Sequence, residues 1–217
     1  GAAINPFTGS FDGEGHTITG LTIDRPNESN VGLFGASEGR VTDVTLATVT
    51  VTGDKNVGGL VGGTTDGSSQ IRNVTVSGSV NGTENVGGLI GENFGTVTNA
   101  TASGSVNGTE NVGGLAGQNN DNGIIQETFA VGSVTGEGDV GGLVGQNQSD
   151  ATVEQSYFDT TVSGTNQSES AGNATGLTTA EMQGQAATSN MSGFEFGVDW
   201  QTQTDPADYP VLISLQQ

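Results

Sequence analysis

Any catalysis by this 217-residue chain would have to run on a short stock of reactive side chains. There is no Cys and only one histidine, His16, so thiolate chemistry is absent and a histidine-based triad could use no other residue. His16 sits in the run FDGEGHTI, where a structural role also accounts for it. Two carboxylate pairs, Asp12 with Glu14 and Glu137 with Asp139, have the i, i+2 spacing that puts both groups on one face of an extended segment. Such a pair could serve as the acid and base of glycoside cleavage. Among 24 scattered Asp and Glu residues, pairs of this kind also arise by chance.

The loop Asn119-Asn120-Asp121-Asn122-Gly123 is rich in oxygen donors that could hold Ca²⁺. It lacks the spacing and bidentate Glu of an EF-hand, and a plain turn explains it as well. No cofactor is otherwise expected. Nine N-x-S/T sequons mark candidate N-glycosylation sites: Asn27, Asn73, Asn81, Asn99, Asn107, Asn147, Asn166, Asn173 and Asn190. Asn81 and Asn107 each open an NGT turn, so glycans there would line one edge of the molecule.

The elements that position these residues come from an internal repeat. The signature NVGLFG at Asn30 recurs as NVGGLVG at Asn56, NVGGLIG at Asn85, NVGGLAG at Asn111 and DVGGLVG at Asp139. Successive copies start 26, 29, 26 and 28 residues apart. A second element follows each copy: VTDVTL from Val41, IRNVTV from Ile71, TVTNATA from Thr96, IIQETFA from Ile124 and TVEQSYF from Thr152. A third, resembling SGSVNG, closes the middle units at Ser77, Ser103 and Gly132. Three short alternating segments per unit, separated by Gly, Asn and Ser, predict one coil of a β-helix. Gly, Thr, Val and Asn are weak helix formers. Stacked at ~4.8 Å per coil, the repeats would build a rod core of about 20–25 Å.

This arrangement predicts inward stacks at Val57/Leu60, Val86/Leu89, Val112/Leu115 and Val140/Leu143. The Gly-Gly pairs would mark corners with positive φ or close backbone approach. Two polar columns follow: Asn30, Asn56, Asn85, Asn111, Asp139, and Asp43, Asn73, Asn99, Glu127, Gln155. They read as structural corner ladders or, alternatively, as a row for cations or sugar. The run Thr48-Val49-Thr50-Val51-Thr52 occurs once, too little for a Thr-x-Thr ice-binding array.

Composition narrows the partners. The net charge of −20 reflects scarce bases, Arg25, Arg40, Lys55 and Arg72, more than abundant acids. No positive stripe for nucleic acid can be assembled, and an anionic membrane surface is disfavoured. Base depletion suits life in high salt, where self-repulsion is screened; drift in a secreted protein rich in Ser, Thr and Gly gives the same composition. No apolar run of ~18 residues is present for a membrane span.

The NVGGLVG copies, each followed by a segment of the type xVxNVxVSGSVxG, resemble the GLUG-motif repeats of large bacterial and archaeal surface proteins. FTGSFDGEGHTITGLTI from Phe7 resembles the segment that precedes such repeats. SYFD from Ser156, GLTTAEM from Gly176 and YPVL from Tyr209 resemble the C-terminal close. The resemblance implies a β-helix in secreted, adhesin-like proteins, some of them joined to peptidase domains. HExxH is absent here, so that activity is not carried over. The chain departs from the pattern in lacking the strand before FTGSFDG, which suggests a fragment or a processed N-terminus, and in having Glu14 where Asn is usual.

The expected fold is therefore all-β: a parallel β-helix, right-handed, over residues 1–175, with a C-terminal cap over 176–217. Thr178 would N-cap a short helix with Glu181 at N3, running to about Ala187. Phe194, Phe196, Trp200, Tyr209, Val211 and Leu212 would complete an aromatic cap over the open core end and strand edge. The expected role is a non-catalytic structural or adhesive module of an extracellular, cell-surface or filament protein; the alternative is a carbohydrate-binding or carbohydrate-active β-helix of the tail-fibre kind. The partners would be a cell-surface or extracellular polymer, or neighbouring copies with which the free residues Gly1 to Pro6 would pair as a strand; nucleic acid and membrane insertion are not expected.

Overall fold

The structure, a computed structural model, describes residues 5–165 and 173–216. Each repeat forms one coil of a parallel β-solenoid, and three sheets run along the rod. The signature splits at its glycines. Lys55–Gly58 enters one sheet and Val61–Thr64 the next, and the same split recurs at Glu84–Gly87 with Ile90–Asn93 and at Glu110–Gly113 with Ala116–Asn119. The third wall consists of the long strands Arg40–Thr52, Gln70–Asn81 and Thr96–Asn107. It continues as Ile124–Ala130 with Ser133–Thr135, then as Thr152–Glu154 with Tyr157–Asp159. At the other end Ser10–Asp12, Thr17–Thr19 and Thr22–Asp24 form a broken first rung on Arg40–Thr52.

Three segments per coil was the right number, but the division differs. The signature supplies two strands, and the second and third elements fuse into one. In two of the three long strands Gly78 and Gly104, at φ +138° and +127°, allow a bend without breaking the ladder, whereas Arg40–Thr52 turns at Thr48, φ 54°, with a register shift between Leu46 and Val49. An alanine at Gly104 would also drive its Cβ to 1.9 Å from the Gly78 carbonyl oxygen.

Like residues stack on like along the rod, and the core they form is apolar. Val57, Val86 and Val112 are fully buried, as are Leu60, Leu89, Leu115 and Leu143; Val140, near the C-terminal end, is partly buried. The corner glycines are demanded by contact and not by positive φ. A Cβ on Gly87 would lie 2.2 Å from the Ile90 carbonyl oxygen, and one on Gly91 would lie 2.4 Å from the Val57 backbone nitrogen. The residues that do take positive φ are the asparagines of the signature, at 52–59° for Asn30, Asn56, Asn85 and Asn111.

The C-terminal segment departs from the expected cap in two respects. The helix from Thr178 breaks after one turn into α1 (Thr179–Met182) and α2 (Gly184–Asn190), because Gln183 is extended at ψ 154°. The aromatic residues build a second core on the outer face of the long-strand sheet. Alternation turns Phe129 and Tyr157 outward while their neighbours Ala130 and Phe158 fill the solenoid. Met182, Met191, Phe194, Trp200 and Leu212 close over the outward pair, with Phe194 stacked on Trp200 at 4.6 Å between centroids. The strand edge at that end is covered by Thr175–Leu177, which pairs with Tyr157–Asp159. No helix among the described residues is long and apolar enough to cross a membrane.

Candidate functional site

The polar columns sit where the backbone turns, and they are bonded lengthwise. Asn111 donates its amide to Asn85 Oδ1 at 2.7 Å, Asn85 to Asn56 at 2.8 Å and Asn56 to Asn30 at 3.3 Å. The second column, Asp43, Asn73, Asn99, Glu127 and Gln155, is also left-handed throughout, with φ between 47° and 55°. There Asn73 donates to Asp43 at 2.9 Å, but Asn99 Oδ1 is buried without a partner among the described residues. A short polar side chain tolerates this backbone and its amide then reaches the next coil, so both columns serve as corner ladders. In the signature column Asp139 departs: it is not left-handed, and it accepts from Gln146 Nε2 at 3.0 Å.

A third ladder carries no marking in the repeat signature. Asn93 donates to Asn119 Oδ1 and Asn119 to Asn147 Oδ1, each at 2.8 Å, all three being buried. Its only sequence signal is an Asn two residues after the closing Gly of three signatures. Next to it Glu92 accepts from Asn56 Nδ2 at 2.8 Å and from Asn120 Nδ2 at 2.7 Å. Burial pushes the Glu92 carboxyl above its usual range, against the pull of those two amides.

The candidate reactive groups are not brought together. His16 is exposed in the first-rung turn, 3.0 Å from the Gly13 carbonyl oxygen through Nδ1. Asp12 and Glu14 share a turn, not an extended segment: Asp12 Oδ1 accepts from the Glu14 N–H at 2.9 Å, and Glu14 has φ 50°. Glu137 and Asp139 lie exposed on a bend. In the loop proposed for Ca²⁺, Asn119 Nδ2 donates to the Gly123 carbonyl at 3.2 Å and the Gly123 N–H to Asn120 O at 2.7 Å. Those are turn contacts, and among the described residues no three His, Cys, Asp or Glu converge as a metal cage requires. Shallow clefts of ≈ 400 and ≈ 350 Å³ lie at the two ends, by Arg25 and Asn30 and by Gln148 and Glu154.

The sequons separate by exposure. Asn27, Asn107, Asn173 and Asn190 are exposed; Asn73 and Asn81 are half-buried. Asn99 and Asn147 are buried in the rod and offer a transferred sugar no room, while Asn166 lies outside the described residues.

One buried carboxylate ties the C-terminal motifs together. Asp159 Oδ1 caps Thr161 N and Val162 N at 2.7 and 3.2 Å; Oδ2 accepts from Thr179 Oγ1 and Tyr209 Oη, both at 2.6 Å. Nothing in the sequence pointed to this residue as a junction beyond its place at the end of SYFD.

Comparison with known proteins bears on the repeat. Residues 53–81 and 82–107 match the family described as the GLUG motif. Each match spans one coil. An 87-residue stretch, 39% of the chain, is 47% identical to halomucin of Haloquadratum walsbyi (strain DSM 16790 / HBSQ001) and covers 1% of that protein's length. Among solved structures, a Bacteroides ovatus protein provisionally described as an immunoglobulin A1 protease shares the fold, with a TM-score of 0.65 at 17% identity. The likeness covers 94% of this chain and 77% of the other.

Proposed function

We propose that this chain, a member of the GLUG-repeat family of surface proteins, is a non-catalytic rod module of a large extracellular protein, holding functional parts apart or presenting an adhesive face. The observation that supports this most directly is the use of its repeated polar residues. The columns that recur coil after coil, at Asn30, Asn56, Asn85 and Asn111 and at Asn93, Asn119 and Asn147, are bonded to one another and not aimed at a common point. Its carboxylate pairs, its single histidine and its oxygen-rich loop lie in separate turns. An enzyme needs convergent groups held in one geometry. The short match to halomucin, itself far longer, fits a module repeated or embedded within a surface protein.

Incubating the purified chain with a panel of polysaccharides and peptides tests the reading. No turnover is expected, and specific cleavage of any one substrate would overturn it.

A further inference from the structure

One part of the long-strand sheet is left uncovered by the C-terminal segment, and its chemistry differs from the rest of the surface. Two columns lie side by side there, Thr50–Ser79–Ser105–Ser133 and Thr52–Asn81–Asn107–Thr135. Register extends them at the N-terminal end to Thr22 and Asp24, and apart from Asp24 every member is a hydroxyl or an amide, on a chain whose net charge is −20. A lattice of uncharged donors and acceptors matches a neutral, polyhydroxylated ligand. Two sequon asparagines stand within it.

We propose that Asn107 carries a covalently attached glycan that lies along this neutral face, and that glycans on Asn107 and Asn81 exclude each other. Asn107 is exposed, and the hydroxyl of Thr109, the third residue of its sequon, makes no hydrogen bond among the described residues. Asn27 and Asn173 are exposed too but lie outside the two columns, and the remaining described candidates are more engaged. Thr83, third residue of the Asn81 sequon, gives its hydroxyl to Asp54. Asn190 donates to the Glu181 carbonyl at 3.1 Å, and its Ser192 lies 3.2 Å from the Tyr157 hydroxyl.

The transfer draws on a glycosyl donor activated as a lipid-linked phosphate ester. The anomeric C–O bond to phosphate breaks and the phosphate leaves. A C–N bond to Asn107 Nδ2 forms, and that nitrogen loses one proton. Its second hydrogen keeps the ladder bond to Asn81 Oδ1, now 3.2 Å. Asn81 and Asn107 are register partners in adjacent strands, so their side chains are ~4.8 Å apart along the rod. Substituted sugar rings are wider than that spacing, so the second transfer is blocked by the first.

Glycopeptide and intact-mass spectrometry of the protein purified from the surface of the cells that make it tests both parts. Expected are carbohydrate on Asn107, none on Asn99 or Asn147, and no single chain modified at both Asn81 and Asn107. In N107Q, with the solenoid's circular dichroism unchanged, occupancy at Asn81 should rise several-fold. Surface protein bare at Asn107 would overturn the attachment, and chains carrying both glycans would overturn the exclusion. The proposal rests on the extracellular reading above, and the two fail differently: protein confined to the cytosol would sink both, bare surface protein this one alone.

Discussion

Tyr209 and Asp159, fifty residues apart, are joined by a hydrogen bond of 2.6 Å from the phenol to Oδ2. Asp159 ends the last long-wall strand of the solenoid, Tyr209 belongs to the final segment, and Thr179 at the start of α1 reaches the same oxygen. Three stretches of chain thus meet on one carboxylate. The aromatic cluster around Phe194 and Trp200 supplies the apolar area that holds the C-terminal segment on the rod, and Asp159 fixes where it docks.

Removing the phenol should loosen that docking. Tyr209→Phe deletes one hydrogen bond to a buried charged acceptor, a loss of about 1.5–3 kcal/mol. Trp200, the only tryptophan, is buried in the affected cluster and gives a local probe. In urea its fluorescence transition should move to lower denaturant than the far-ultraviolet transition of the solenoid. Coincident, unshifted transitions would show that the bond contributes nothing.

Acid should separate two kinds of carboxylate. Burial works to raise Asp159, but hydrogen bonds from Thr179, Tyr209, Thr161 N and Val162 N together hold it below its usual range. Its stabilisation is therefore full above the unfolded value of about 3.9 and is lost as pH falls through the lower folded value. Glu92 has the opposite sign: burial raises it, so its favourable contribution is present below the unfolded value of about 4.3 and disappears as pH rises through the folded one. Mild acidification from neutrality should thus raise the melting temperature before stronger acid lowers it. The initial rise should shrink in Glu92→Gln, whereas an identical rise in that variant would remove Glu92 from the account. At the alkaline end Tyr209 is pushed up to about 12, first by burial and then by Asp159, so its contribution to docking is full below the ordinary tyrosine value of about 10 and is lost as pH rises through about 12.

Two glycine substitutions distinguish contact from conformation. Gly87→Ala places a Cβ 2.2 Å from the Ile90 carbonyl oxygen in mid-rod, where neither backbone can move without disturbing both neighbouring coils. A loss of about 3 kcal/mol or more is expected. Gly20→Ala faces open space and meets only the strain of φ +71°, about 1–2 kcal/mol. Equal losses in thermal or urea melts would refute the close-approach explanation of the signature glycines.

The coil was legible because its causes are local and repeated. A Val or Leu that returns at the same place in each copy must face the same interior, and an Asn at a corner must solve the same turn. Where the copies are not alike, that logic weakens. The fusion of two elements across Gly78 depends on one glycine bending where Gly58 ends a strand, and the two are indistinguishable as letters. The ladder of Asn93, Asn119 and Asn147 escaped notice because only three coils carry it. Phe129 and Tyr157 are in-register copies of Thr75 and Thr101, and their apolar character signalled an outward partner. That partner, Met182 to Leu212, starts 53 residues beyond Phe129 and 25 beyond Tyr157, in a segment without repeats, so sequence alone put the aromatic residues over the end of the rod.

Salt should act most strongly where that segment meets the rod. Three of the four bases are already paired, Arg25 with Glu28, Lys55 with Glu84 and Arg72 with Asp199, so few cations remain to offset 24 acids. Beside Arg72 the acids converge. Glu127 is raised first by burial and then by the nearby charges of Asp199 and Glu195, both carried by the C-terminal segment. Like charges facing each other across a docking surface oppose docking. The Debye length falls from about 10 Å at 0.1 M salt to about 3 Å at 1 M, which removes most of that opposition. Raising NaCl should therefore stabilise the whole chain and move the Trp200 transition further than the solenoid transition. Sucrose at matched osmolality, which strengthens burial without screening charge, should move the two together. A melting temperature that falls with NaCl, or a differential shift that sucrose reproduces, would show that charge repulsion is not what limits the docking.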